Sequence, residues 1–84
     1  MKKEYRKAYK ALQKMGVPVF EHWDWEDGFD ISAEREGSQD WLSYWRMADE
    51  EWTFGIHPDV NQVLNENGLY AEWVNPAHAR VYVG

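Results

Sequence analysis

The sequence predicts a small α+β domain, with helices packed on one antiparallel sheet built from two hairpins, in the order α-β-β-α-α-β-β. Three observations carry this expectation. Apolar residues recur at three- and four-residue spacing near the start of the chain. Apolar and polar residues alternate strictly around residue 30. Turn-forming Gly, Asn and Pro residues separate runs rich in β-branched and aromatic side chains. The 84 residues suffice for one domain, 1–84, and for no second one.

The first helix is expected from Lys2 to Met15, where Tyr5, Ala8, Tyr9, Leu12 and Met15 form an apolar stripe widened by Ala11. Gly16 stands where a left-handed cap is wanted, and Pro18 forbids continuation. Val17 to Trp25 reads as a strand with Val17, Val19, Trp23 and Trp25 on one face. Glu26-Asp27-Gly28 supplies a turn in which Gly28 is able to take positive φ, and Phe29, Ile31 and Ala33 alternate with Asp30, Ser32 and Glu34 in a second strand.

Ser38 is the expected N-cap of a second helix, with Asp40 in its first turn and a stripe of Trp41, Tyr44, Trp45, Ala48 and Trp52. The acidic run Asp49-Glu50-Glu51 opposes the negative end of such a helix. Thr53 to Ile56 is compatible with a short strand or a plain connection. Pro58 opens a third helix with the stripe Val60, Val63 and Leu64, closed by Asn67-Gly68. Leu69 to Val74 and Arg80 to Val83 form the second hairpin across Asn75-Pro76-Ala77-His78.

Val, Ile, Leu and Phe account for only sixteen residues, and the formal charge is −6, a combination that borders on disorder. Six Trp and five Tyr reverse that reading, since each buries roughly 150–250 Å². The expected core is therefore aromatic. Trp41, Trp45 and Trp52 are assigned to it, whereas Trp25 or Trp73 is expected to stay partly exposed as an interface anchor, with sugar stacking a minor option.

The absence of Cys excludes disulfides, thiolate metal sites and a thiol nucleophile. No apolar run is long enough to span a membrane. Met1-Lys2-Lys3 is followed by no apolar core of a signal peptide, so a cytoplasmic location is expected. No phosphate-binding glycine loop and no nucleophile elbow occurs, and enzymatic activity is not expected. Asp24 to Gly28 resembles a calcium loop only out of register. His22, His57 and His78 show no spacing that gathers three or four ligands, so no metal and no cofactor are expected.

Charge is the strongest functional signal. Residues 1–20 hold six basic side chains and one acid, whereas residues 21–72 hold fourteen acids against Arg35 and Arg46 alone. On the first helix, Arg6, Lys10 and Lys14 share a sector with Lys3 and Lys7, making unfavourable i,i+4 pairs of about 0.2–0.5 kcal/mol each. That sector suits an acidic surface on the protein's own hairpin, on a second copy in a homo-oligomer, or simply water. Direct binding of nucleic acid is disfavoured by the acidic excess.

His22, Asp24 and Glu26 are expected on one water-facing side with Asp30, Ser32 and Glu34. Asp24, Glu26, Asp30 and Glu34, with Trp25, would meet a basic protein partner. The expected function is a non-enzymatic, acidic protein-interaction module working through charge complementarity. The alternative is an inhibitor whose carboxylates mimic a nucleic-acid backbone and occupy a nucleic-acid-binding protein.

Overall fold

A computed structural model describes residues 1–84. Its elements are α1 (Lys3–Met15), β1 (Val19–Phe20), β2 (Asp30–Ser32), 3₁₀ turns at Ser38–Asp40 and Tyr44–Arg46, α2 (Pro58–Glu66), β3 (Leu69–Asn75) and β4 (His78–Val83). The strands form one antiparallel sheet in the order β1-β2-β4-β3, so the two hairpins join through β2 and β4. The mixed α+β class read from the sequence is the fold observed.

α1 ends as its composition requires. Gly16 adopts φ 94°, and its N–H reaches back to the Gln13 and Leu12 carbonyls. Tyr5, Ala8 and Leu12 are buried on its inner face. α2 begins at Pro58, where a missing N–H costs nothing, and the His57 imidazole accepts a hydrogen bond from the Asp59 N–H. Val60 and Leu64 turn inward. Both helices cover the sheet face formed by Ile31, Leu69, Ala79 and Val81, and Phe29 fills the space between layers with no exposed surface.

The β3–β4 hairpin turns on Pro76-Ala77, and the Asn75 Oδ1 accepts hydrogen bonds from the Ala77 and His78 N–H groups. The expected first hairpin is much looser. Only Val19 and Phe20 pair with β2, opposite Ile31 and Asp30. The chain then leaves the sheet: the Trp25 N–H bonds to the His22 carbonyl in a turn, and Trp23 projects into solvent, 85% exposed. Gly28 has no positive φ. Its need is steric, because a Cβ there would lie 2.7 Å from the Tyr5 ring and 2.8 Å from the Trp25 indole nitrogen.

The expected helix after Ser38 is not formed. Its first turn starts, with the Trp41 and Leu42 N–H groups on the Ser38 carbonyl, but the following backbone is bonded elsewhere. Leu42 bridges to Ile56, the Ser43 N–H donates to the Gly55 carbonyl, and the His57 N–H donates to the Trp41 carbonyl. Pairing between distant segments thus replaces the i to i−4 ladder and buries Leu42 and Ile56 completely. Gly55, at φ 76°, permits this closure, since a Cβ would collide with the Ser43 carbonyl. Thr53 to Ile56 forms isolated bridges rather than a strand. Ser38 does not cap: Gly37 precedes the turn and the buried Ser38 hydroxyl has no hydrogen-bond partner.

The tryptophans redistribute accordingly. Trp52 is buried, with the Arg46 guanidinium 3.8 Å above its ring, and Trp41 and Trp52 both lie edge-on to His57. Trp45, assigned to the core from its spacing, is 81% exposed. Trp25 and Trp73 are half-buried, each donating its indole N–H, to the Val81 and Phe54 carbonyls respectively.

Candidate functional site

The sheet order makes β3 an edge strand, and its free edge opens into a groove of about 650 Å³. Tyr70 to Asn75 line one wall, α2 contributes Asn61 and Asn65, and the 44–54 segment contributes Tyr44, Met47, Thr53 and Phe54. Residues of both faces of β3 line this groove: Ala71 and Trp73 of the helix-covered face, Tyr70, Glu72 and Val74 of the opposite one. Such a lining fits a groove that follows the strand's edge.

Backbone bonding defines what the edge presents. The Gly84 N–H bonds to the Gly68 carbonyl, which extends the β3–β4 ladder by one pair. Counting inward by two places Tyr70 opposite Tyr82 and Glu72 opposite Arg80 in the hydrogen-bonded pairs. The N–H and C=O groups of Ala71 and Trp73 therefore point away from β4, toward the groove, and no partner for them lies elsewhere in the chain. Apolar side chains surround these groups. Met47, Phe54, Tyr70 and Val74 are all exposed there, and the Tyr44 ring stands edge-on to Trp73 at 5.5 Å.

The stretch of chain that supplies most of the groove is acidic, with Glu72 in its wall. From Met47 to Val74 the chain carries six carboxylates and no Lys or Arg. Arg46, just before this stretch, is already paired with Asp49 at 2.6 Å. The Arg46 hydrogen bond, helped by the Glu51 N–H, holds the Asp49 carboxyl below its ordinary pKa.

The residues singled out by charge fall into three groups. Arg6, Lys10 and Lys14 lie with Lys3 and Lys7 on α1, and apart from Arg6, whose guanidinium bonds to the Met1 carbonyl, they find no partner in the chain. Lys2 alone reaches the acidic loop, 3.6 Å from Asp27. Glu26 and Glu34 form no ion pair, and both are exposed on the surface.

Asp24 and Asp30 behave differently from the expected water-facing pair. The side of Asp30 and Ser32 away from the helices is covered by the Arg80 and His78 side chains of β4, which stand opposite them, and by Asp24 of the loop after β1. Asp30 has no exposed surface and accepts hydrogen bonds from Arg80 Nε at 2.9 Å and Nη2 at 3.1 Å. The same Nη2 donates to Asp24 Oδ1 at 2.6 Å. Burial pushes the Asp24 pKa up, but the Arg80 hydrogen bond and charge, with His22 beside it, outweigh this and hold it down. The Asp30 hydrogen bond likewise raises Arg80 further above its ordinary value against the opposing effect of burial. Asp30 is consequently unavailable to an outside partner. Ser32 is buried too, its hydroxyl accepting from the Glu34 and Arg35 N–H groups.

His22 and His78 flank this cluster, their rings stacked at 5.3 Å. Sequence spacing alone hides their convergence, because they lie on a loop and on a strand 56 residues apart. The groove was missed for a related reason: nothing local in Leu69–Asn75 tells that this strand, and not β4, is the edge.

Comparison with known protein families, with characterised proteins and with solved structures gives no match.

Proposed function

We propose that the chain is a non-enzymatic protein-interaction module that takes an extended, basic segment of a partner protein as a fifth strand along β3. The free main-chain groups of Ala71 and Trp73, facing an apolar groove, are the observation that carries this reading. Strand addition derives affinity from main-chain hydrogen bonds and specificity from pockets for alternate side chains. Tyr44, Met47 and Phe54 offer the apolar contacts, and the Asn65 amide, the Asn61 Oδ1 and the Asn75 Nδ2, which form no bond within the chain, offer hydrogen bonds. Glu72 in the wall and the uninterrupted acidity of residues 47–74 favour Lys or Arg in the incoming strand and disfavour acidic competitors.

An exposed edge bearing one charge and no Pro is a hazard for uncontrolled pairing, which natural proteins usually suppress. Retaining such an edge is consistent with its use. Mimicry of a nucleic-acid backbone is less well supported, because Asp24 and Asp30 are committed to Arg80.

Panning a library of displayed random nonapeptides against the immobilised chain tests the proposal. Enrichment of sequences alternating apolar residues with Lys or Arg is expected. Ala71→Pro deletes an N–H that does not bond to β4, so it should spare the fold while abolishing capture. Glu72→Lys should weaken capture of the same peptides. Selected peptides that bind both variants as well as the parent chain, or failure to enrich any peptide, would refute it.

A further inference from the structure

A second cluster of polar side chains lies at β2 and β4, on the face of the sheet turned away from the helices. We propose that His22, Asp30 and His78 form a binding site for a divalent transition-metal ion of the zinc type, with Asp24 and Arg80 as its positioning residues. One ligand atom from each of the three residues falls within 4.8 Å of the other two.

The spacing of two of them already suits a metal. His78 Nε2 lies 3.3 Å from Asp30 Oδ2. Two donors each about 2.0–2.1 Å from a tetrahedral zinc ion are roughly 3.3–3.4 Å apart. The two atoms are out of line for a hydrogen bond, and His78 Nε2 is buried with no hydrogen-bond partner. A buried ring nitrogen without a partner is rare in native proteins and calls for an ion or a water.

The neighbours match what metal ligands need. A ligating carboxylate is normally held by hydrogen bonds, and a ligating imidazole normally has its other nitrogen engaged by a carboxylate. Arg80 grips Asp30 through two donors, and Asp24 engages His22 Nδ1 both through its carboxylate and through its backbone N–H, which donates to that nitrogen. With neutral imidazoles, Asp24 and Asp30 against Arg80 leave one uncompensated negative charge beside a buried carboxylate. That charge draws a cation, and two nitrogen donors select a transition metal over Mg²⁺ or Ca²⁺, which prefer oxygen.

His22 is the adjustable member. Its ring stacks within 13° of the His78 plane, so it must turn about its side-chain bonds for both nitrogens to face one ion. It stands on the loop between β1 and β2 with its side chain 21% exposed, which leaves room for that rotation.

Calorimetric titration of the untagged chain with Zn²⁺, paired with visible spectra of the Co²⁺ form, tests the site. One ion per chain is expected, with the intense bands of tetrahedral Co²⁺. His22→Gln and His78→Gln should each weaken binding at least tenfold, and Asp24→Asn about 10–100-fold. Excess Mg²⁺ or Ca²⁺ should not displace the ion. His22 lies outside the sheet, so His22→Gln decides the matter even where His78→Gln fails to fold. Absence of saturable binding at zinc tenfold over protein, or affinity unchanged within twofold in His22→Gln, would overturn the proposal.

Discussion

Replacing Arg80 by Met should be among the most damaging single changes in the chain, and the structure fixes its size relative to its neighbours. The substitution keeps an unbranched side chain of similar length but removes all three hydrogen bonds that reach Asp24 and Asp30. Asp30 has no exposed surface, so its carboxylate would be left buried and unpaired. Breaking a buried pair in this way costs about 3–5 kcal/mol. The reciprocal change, Asp30→Asn, is milder, because Arg80 keeps Asp24 at 2.6 Å and the amide oxygen still accepts one bond. A cost of roughly 1–3 kcal/mol is expected for it. An 84-residue domain has a total stability of roughly 4–13 kcal/mol, so Arg80→Met removes a large share. Urea unfolding followed by tryptophan fluorescence measures both variants and the double variant. The double variant should cost less than the sum of the singles, since each removes the same contact. Arg80→Met costing under about 1 kcal/mol, or less than Asp30→Asn, would refute a buried pair at this position.

Other expectations follow from the same geometry. The Asp24 and Asp49 pKa values are depressed in the folded state, so their contribution to stability is present at neutral pH and lost as pH falls below about 4. Asp24→Asn should flatten that acid limb in urea titrations taken across pH. Gly28→Ala places a methyl group against the Tyr5 and Trp25 rings and should cost about 1–3 kcal/mol by thermal unfolding. Lys10→Glu removes two like-charge i,i+4 repulsions on α1 and should leave the melting temperature unchanged or slightly raised at low salt. A fall in melting temperature would show that this face is neutralised by a second copy of the chain.

The parts of the fold written in local signals were legible in the sequence. α1 carries its stripe and its terminal Gly16, α2 its Pro58 and Asn67-Gly68, and the second hairpin its Asn75-Pro76 turn. The 38–56 segment was not, although its Trp and Tyr residues repeat at helical spacing. Leu42 and Ile56 bury themselves by bridging each other, and that long-range pairing outweighs a periodicity opposed by three acids at the helix's negative end. Alternation correctly marked Asp30 as facing away from the helices. It did not tell that this second face is also covered, because Arg80 comes from 50 residues further along. The groove depends on strand order, which no stretch of sequence encodes by itself.

Amide hydrogen exchange along β3 tests the account's central claim most directly. In the free, dilute protein the Tyr70 and Glu72 amides, bonded to β4, should exchange slowly, while those of Ala71 and Trp73 exchange much faster. Adding a basic peptide selected on the groove should slow Ala71 and Trp73 and leave Tyr70 and Glu72 as they were. Equal protection of all four amides in the free protein, or bound peptide that leaves Ala71 and Trp73 fast, would contradict an open edge that receives a partner strand.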